Sequence, residues 1–444
     1  MFYTCVRAIV GFAIRLFYRV KIGALPPQLG GPVMFVCNHP NSIVDPALLF
    51  AVLPRQITFL AREPLFRAPV FGWILRGLGA LPVFRKQDHP GQTEKNQGTF
   101  DSASRALLAQ GAITLFPEGK SHSEPRLAEI KTGAARIALQ ALAQGAAVRI
   151  VPVGLTYQQK HRFRSEVLVE ASDPIEVANF AEGQPEAERV RELTEAVEAG
   201  LSRVTLNLEQ WEDLPLIQTG DELYSLKIGE RSKDPARLRR FARGVELFRK
   251  EQPEKFEHLR DEVMTYRRRL ELVSARTRDL ALTYNRALVW KFALRNLAAL
   301  ILGFPLFGMG MLLFAVPFYI PRYLVKVLHQ SLDRQGTVKF VTALVLTPIS
   351  LGGMIAVAWV FGGNTGAAVV FLSALPLALF TRYFFERRRI ALRDMKVFFT
   401  LGSRVKLRAM LLAEGDRLAA EIEATALEYK PRVMEPVPRT KASG

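Results

Sequence analysis

The chain has 444 residues, 49% of them hydrophobic, and carries 60 Lys and Arg against 42 Asp and Glu, a formal charge of +18. That length predicts two or three domains, and the basic excess favours anionic partners, either lipid headgroups or nucleic acid. Nothing resembles a zinc finger, a capped recognition helix or a stacking platform, so nucleic acid is not expected. Two cysteines, Cys5 and Cys37, exclude a disulfide framework and suit a reducing cytoplasmic face.

At the N-terminus Arg7, Gly11, Arg15 and Arg19 recur at helical spacing and leave Ile9, Phe12, Ile14, Leu16 and Phe17 for the remaining surface. This is the pattern of a helix lying in a membrane interface, with a core-packing helix as the alternative. No small-residue cleavage site follows, so a removable signal peptide is not expected. The apolar run Val33–Cys37 then reads as a buried strand, and Asn38-His39-Pro40-Asn41-Ser42-Ile43-Val44-Asp45-Pro46 follows it. A histidine titrates near neutrality, and a nearby carboxylate can fix its tautomer and support its positive charge. Such a pair can take a proton from an alcohol. The same residues also read as a helix start, with Asp45 as N-cap, Pro46 at the first helical position and His39 bonding a loop carbonyl.

Three further blocks each end a strand in polar or turn residues. Gly79-Ala80-Leu81-Pro82-Val83-Phe84-Arg85 is a turn glycine, a short strand and an arginine at its exit. Ala112-Ile113-Thr114-Leu115 runs into Phe116-Pro117-Glu118-Gly119-Lys120-Ser121-His122, and Arg149 to Tyr157 is a strand with Pro152 inside it. Between the last two, Thr132 and Gly133 begin a helical pattern from Ala134 to Leu142. The blocks predict one site at the edge of one sheet. Taken alone, Arg85 and Lys131 are either solvated charges or phosphate clamps. Glu118 is either a turn residue left in water or a hydrogen-bonding group.

In order and spacing, the histidine block and these three resemble the four motifs of the glycerolipid acyltransferase superfamily, enzymes that acylate glycerol phosphate and lysophosphatidate. The more common first motif has four residues between histidine and aspartate. Here five lie between His39 and Asp45, so the extra residue must bulge if the side chains are to meet. The longer spacing, with Phe116 to His122, Pro125, Leu127 and Lys131-Thr132-Gly133, is similar to the fungal glycerol-3-phosphate/dihydroxyacetone-phosphate acyltransferase branch. Ser121 stands where the more common third motif has an arginine that often binds phosphate.

The resemblance implies an α/β domain, a glycerol-phosphate acyltransferase-like sheet flanked by helices. It implies direct transfer from an acyl thioester, coenzyme A or acyl carrier protein, to a hydroxyl of a glycerol phosphate, with no cofactor or metal. His39 would be the general base and Asp45 its orienting carboxylate. Arg85, Glu118, Gly119, Lys120 and Lys131 would hold the acceptor and its phosphate, the arginine as a planar fork and the lysine as a point charge. Backbone donors at the helix start near Gly133 would partly compensate for Ser121. Glycerol-3-phosphate or dihydroxyacetone phosphate is the leading acceptor, with lysophosphatidate as the alternative. A membrane scaffold or lipid transporter keeping a degenerate fold is the reading from another class, opposed by the intact His39, Asp45, Arg85 and Glu118.

The resemblance covers roughly the first 210 residues. Glu212 to Ala287 reads as linker and long polar helices, whose basic clusters Arg237-Leu238-Arg239-Arg240 and Arg267-Arg268-Arg269 are solvated faces or membrane anchors. No charge lies between Arg295 and Arg322, and none between Lys339 and Arg382. A spanning helix needs about 20 apolar residues, so the second stretch holds two spans about a turn at Gly362-Gly363-Asn364-Thr365-Gly366. The first stretch, interrupted by Gly303-Phe304-Pro305, Pro317 and Pro321, reads as re-entrant or a short hairpin. The expected division is an interfacial helix and lead-in over 1–30, the acyltransferase domain over 31–210, a charged helical linker over 211–290, membrane-embedded helices over 291–390, and a basic amphipathic helix with a disordered tail over 391–444. The positive-inside rule puts the segment before Phe340 and the C-terminus on the cytoplasmic face of a multi-pass membrane protein, and the catalytic domain, with no cleavable signal and an acyl thioester as expected substrate, is expected on the same face.

Overall fold

A computed structural model describes residues 1–25, 30–84, 96–180, 184–230, 234–280, 286–402 and 404–434. The chain divides into two compact units: Met1–Asn207 with Val325–Val341, and Leu208–Leu324 with Thr342–Gly444.

The first unit runs α1 (Phe2–Phe17), β1 (Arg19–Ile22), β2 (Val33–Cys37), α2 (Val44–Val52), β3 (Ile57–Arg62), α3 (Pro64–Arg67), α4 (Pro69–Gly77), β4 (Leu81–Val83), α5 (Asn96–Leu108), β5 (Ala112–Leu115), α6 (Gly133–Ala143), β6 (Arg149–Tyr157), β7 (Glu166–Ala171), β8 (Ile175–Glu176) and α7 (Glu186–Val204). The strands form one sheet in the order β1-β7-β6-β2-β5-β3-β4, with β8 paired to the start of β6. β2 lies in the middle, its Met34 opposite Ile113 of parallel β5 and Ile150 of parallel β6. Such a strand is covered on both faces and reads as a continuous apolar run, and all five residues of β2 are buried. On one face Met34, Val36, Ile113, Leu115 and Ile150 pack with Leu107 of α5, Ile137 and Ala138 of α6, and Val197 and Leu201 of α7.

Pro152 is tolerated inside β6 for a local reason. The antiparallel partner β7 pairs from Val153 onward and β8 pairs only Arg149 and Ile150, so the missing N–H falls between two partners. Helix α7 comes close to this strand across two glycines. A Cβ on Gly154 would lie 2.0 Å from the Val204 carbonyl oxygen, and one on Gly200 would lie 2.5 Å from Pro152 Cγ.

The edge of the sheet where the blocks after β2, β5 and β6 meet is the carboxyl end of adjacent central strands. Several sequence expectations need revision. Residues 1–30 are not a separate lead-in, since α1 packs against α2 and β1 joins the sheet beside β7. Arg19 opens β1 and is not on the helix, and the Arg7 guanidinium donates to the Leu53 carbonyl rather than facing away from the protein. Gly11, Ile14 and Phe17 are buried while Ile9 and Phe12 stay exposed.

The second unit holds α8 (Asp213–Lys227), α9 (Pro235–Glu251), α10 (Pro253–Leu272), α11 (Thr277–Leu280), α12 (Arg286–Leu313), α13 (Ala315–Val327, whose last residues belong to the first unit), α14 (Leu332–Gly402, whose first residues do too) and α15 (Val405–Met434). Residues 211–290 are not a linker. Leu223, Phe248, Phe256, Val263, Tyr266 and Leu270 share one core with Leu411, Leu418 and Ile422 of the helix expected to be a separate C-terminal amphipathic segment. The expected tail beyond residue 434 lies outside the described residues.

Gly303-Phe304-Pro305 does not interrupt α12, which continues through Pro305. Its glycines serve packing instead: a Cβ on Gly303 would meet the Phe384 ring at 2.7 Å, and one on Gly310 would meet Thr381 Oγ1 at 1.8 Å. Small residues at such crossings let helix backbones approach. The expected glycine turn is present as a break in α14 at Gly363 (φ 58°, ψ −153°). Ala293–Leu313 and Leu332–Leu401 are long and apolar enough to cross a membrane.

Gly154→Ala tests the contact between α7 and β6. Forcing a methyl against a backbone carbonyl costs about 1–3 kcal/mol, so the variant melts at lower temperature in a scanning fluorescence experiment. A wild-type melting temperature would contradict the close approach.

Candidate active site

The loop after β2 carries the first pair. His39 Nδ1 lies 2.9 Å from Asp45 Oδ2, so the imidazole donates Nδ1–H to the carboxylate and keeps its Nε2 lone pair. Nε2 makes no hydrogen bond to the described residues. The ring is stacked on Phe116 at 4.1 Å, inclined by 17°, which fixes its plane.

Asp45 is fully buried and sits in the first turn of α2 after the N-cap Ile43. It is therefore not the N-cap read from the sequence. Its carboxylate accepts from Asn41 N–H at 2.6 Å as well as from His39, while Oδ1 accepts from the Tyr157 hydroxyl at 2.8 Å. The helix N-terminus adds a favourable field for the negative charge. Burial, and then the Asp45 charge beside it, push the Tyr157 phenol well above its ordinary value, so it remains a donor. The residue that the long spacing forces to bulge is Ser42, at φ +44°. Asn38 ties the loop to β6: its side-chain amide accepts from Leu155 N–H at 2.7 Å and donates to Leu155 C=O at 3.1 Å.

The Pro-Glu-Gly block after β5 meets this loop directly. Glu118 is not left in water: only 1% of it is exposed. Oε1 accepts from His39 N–H at 2.7 Å, and Oε2 accepts from Ala128 N–H at 2.9 Å and from His122 Nε2–H. His122 Nδ1 accepts from Glu124 N–H at 3.2 Å, which places the ring proton on Nε2. His122 N–H returns a bond to the His39 carbonyl at 3.2 Å. The two blocks are thus stitched in both directions, and the Glu118 carboxylate is engaged by protein donors.

Gly119 has φ +70°, and a Cβ there would lie 3.1 Å from Lys131 Cε. The Lys131 stem therefore lies over the turn, its backbone N–H bonded to the Pro117 carbonyl at 3.0 Å. Lys120 and Lys131 are both exposed. α6 begins at Gly133 just beyond. Arg85 lies outside the described residues. So His39, Asp45, Glu118, Gly119 and Lys131 come together, with Lys120 at the margin.

Three residues of the site escaped the sequence reading. Tyr157 was read only as a strand end and Asn41 only as part of the loop. Lys160 carried no signal at all: it follows β6, and its Nζ donates to Pro40 C=O at 2.7 Å, His122 C=O at 3.2 Å and Ser123 Oγ at 2.8 Å. One ammonium thereby clamps three loops, with burial holding its pKa below the usual lysine range.

Residues 19–156 match the family model described as Acyltransferase. Glycerol-3-phosphate O-acyltransferase 1 of Saccharomyces cerevisiae is 28% identical over 330 residues, which cover 53% of this chain and 43% of the yeast protein. Glycerol-3-phosphate O-acyltransferase 2 of the same yeast is 30% identical over 279 residues, covering 57% of this chain and 37% of that protein. The 1-acyl-sn-glycerol-3-phosphate acyltransferase of Streptococcus pneumoniae is 27% identical over 222 residues, covering 48% of this chain and 76% of the relative. The chain spans less than half the length of the two yeast relatives.

Removing the Glu118 carboxylate strands three half-buried donors. Each unsatisfied group costs about 1–3 kcal/mol, so Glu118→Ala lowers the melting temperature by more than about 4 °C. Glu118→Gln, which keeps an acceptor for His39 N–H, loses less. Equal melting temperatures for Glu118→Ala and wild type would contradict the stitching.

Proposed function

We propose, from the acyltransferase domain that residues 19–156 constitute, that this chain is a membrane-bound O-acyltransferase. It moves an acyl group from an acyl thioester to glycerol-3-phosphate or dihydroxyacetone phosphate. The observation that carries the chemistry is His39 with its Nδ1 proton committed to a buried Asp45 and its Nε2 unengaged among the described residues. The two yeast relatives named as glycerol-3-phosphate O-acyltransferases support the acceptor. The S. pneumoniae relative keeps 1-acylglycerol-3-phosphate as the second reading.

His39 Nε2 accepts the proton of the acceptor hydroxyl as its oxygen bonds to the thioester carbonyl carbon. The Asp45 carboxylate stabilises the imidazolium so formed. When the tetrahedral intermediate collapses, the carbon–sulfur bond breaks and the imidazolium returns its proton to the thiolate. No covalent acyl-enzyme is required, and acid–base help of this kind is worth about 10²–10⁴ in rate. The acceptor phosphate lies toward Lys131, the Gly119 turn and the start of α6, where a cation and free backbone donors converge. Lys120 adds positive charge at the margin, and Arg85, which lies outside the described residues, is the other cation proposed for the phosphate.

Purified protein offered glycerol-3-phosphate, dihydroxyacetone phosphate, lysophosphatidate and unphosphorylated glycerol, with coenzyme A and acyl carrier protein thioesters, is expected to acylate the first two fastest. A preference for lysophosphatidate would move the reading to its alternative, and transfer to none would remove it. Lys131→Ala or Arg85→Ala is expected to raise the acceptor KM about tenfold and to narrow discrimination against glycerol. Unchanged kinetics in both would place the phosphate elsewhere.

Charge and the division of the chain support a topology. Arg322, Lys326, Arg334 and Lys339 flank the segment before Phe340, and Arg382 and Arg387 to Arg389 follow Thr381, whereas the break at Gly363 is uncharged. Val325–Val341 belongs to the catalytic unit, so the chain between that unit's two pieces crosses the membrane an even number of times. Catalytic unit and C-terminus are then cytoplasmic and Asn364 is outside. In a Cys5→Ser background, Asn364→Cys is expected to react with an impermeant maleimide from outside the cell, and Ser331→Cys and Ser443→Cys only after permeabilisation. Outside labelling at position 331 would refute this.

A further inference from the structure

The catalytic loop is held in a conformation that its sequence does not favour. Ser42 sits at φ +44°, a left-handed conformation that a non-glycine residue keeps only where its surroundings over-determine it. From inside, the loop is fastened by Asn41 N–H to Asp45 at 2.6 Å, Val44 N–H to Asn41 C=O at 3.1 Å and Asp45 N–H to Ser42 C=O at 3.2 Å. These bonds close the turn upon itself.

From outside, the contact comes from the start of α14. Thr337 Oγ1 donates to Asn41 C=O at 3.2 Å, across 296 residues of sequence. Gly336 lies against the same residue so closely that a Cβ would fall 2.4 Å from Asn41 Oδ1 and 2.8 Å from the Lys160 carbonyl. Asp333, itself buried, accepts from Ser121 Oγ at 2.9 Å, and Lys339 Nζ donates to His161 C=O at 2.8 Å. Burial alone would raise the Asp333 carboxyl. Hydrogen bonds from Ser331 and Ser121 and the Lys160 charge outweigh it and hold the group below its ordinary value, so it stays anionic. Phe340 is buried with its ring 6.0 Å from that of Phe17. Two helical turns therefore touch the loops after β2, β5 and β6 together, and all of these residues belong to the first unit.

We infer that Asp333 to Phe340 is the brace that keeps the catalytic loop strained at Ser42, which makes Gly336 and Thr337 positioning residues for His39 and Asp45. Without the brace Ser42 relaxes out of the left-handed region, Asn41 N–H leaves Asp45, and the carboxylate no longer presents one fixed orientation to the imidazole. Gly336 and Thr337 touch Asn41 and the Lys160 carbonyl rather than Gly119 or Lys131, so changes at these two positions spare acceptor binding. This role rests on the acyl transfer proposed above, and its test separates the two.

The experiment uses the full chain in detergent or nanodiscs. Gly336→Ala is expected to lower kcat by at least tenfold and Thr337→Val by about threefold, each with an acceptor KM within twofold of wild type. Adding Ser42→Gly to Gly336→Ala is expected to recover at least threefold of the lost kcat, because glycine occupies the left-handed region without steric cost. A variant that merely folds poorly would not be rescued by a change at position 42. Hydrogen exchange of the peptide spanning residues 38–46 is expected to rise in Gly336→Ala and Thr337→Val, and this readout needs no turnover. Wild-type kcat in Gly336→Ala, a loss that Ser42→Gly leaves in place, or unchanged exchange in both single variants would each overturn the inference. A wild-type protein that acylates no acceptor, with exchange responding as described, would remove the enzymatic reading and leave the brace.

Discussion

The first unit is organised around one buried carboxylate. Removing a charged carboxylate from water costs several kcal/mol unless its lone pairs meet donors in good geometry. Asp45 meets them through His39, Asn41 and Tyr157, one from a strand exit, one from the loop it closes and one from the end of the neighbouring strand. That condition constrains the rest: β2 must be central so that its exit is covered, β6 must run alongside to supply Tyr157, and the loop must carry a bulge at Ser42. A base oriented in this way has its tautomer chosen before any substrate arrives, and such preorganisation lowers a barrier because no reorganisation is left to be done during reaction.

Glu118 repeats the arrangement one strand away. Its two oxygens satisfy donors from the His39 backbone, Ala128 and His122, and the bond from His122 N–H to the His39 carbonyl closes the connection. Lys160 supplies the complementary device, a cation that three loop oxygens surround. Loops that follow parallel strands are otherwise free to vary, because only their ends are fixed by the sheet. Two buried acids and one half-buried lysine, each satisfied, tie three such loops together beside the imidazole.

Much of this was legible in the sequence where the signal is local. A run of five apolar residues, Val33–Cys37, announces a buried strand, the long spacing from His39 to Asp45 requires a bulge, and Pro117-Glu118-Gly119 announces a tight turn. The partners of these groups were not legible, because Tyr157 and Lys160 reach the site through the register of β6 on β2, which no spacing along the chain encodes. Asp45 looked like an N-cap because an Asp-Pro pair is a good helix start, but its carboxylate is drawn to His39 and the helix begins earlier. In the second unit the long polar helices hid a core whose stripe is narrow: Phe256, Leu259, Val263, Tyr266 and Leu270 recur at intervals of three and four, which is packing periodicity within a highly charged sequence. Pro305 misled in the opposite direction, since an apolar helix packed through glycines continues past it.

In the proposed transfer His39 Nε2 takes the acceptor proton. The most direct test of this step is acyl transfer by the His39→Ala chain with and without added imidazole, at several pH values, alongside wild type. The variant is expected to lose at least about 10²-fold with melting temperature retained, and to recover in part with the concentration of neutral imidazole. Turnover by His39→Ala equal to that of wild type without imidazole would contradict this role of His39.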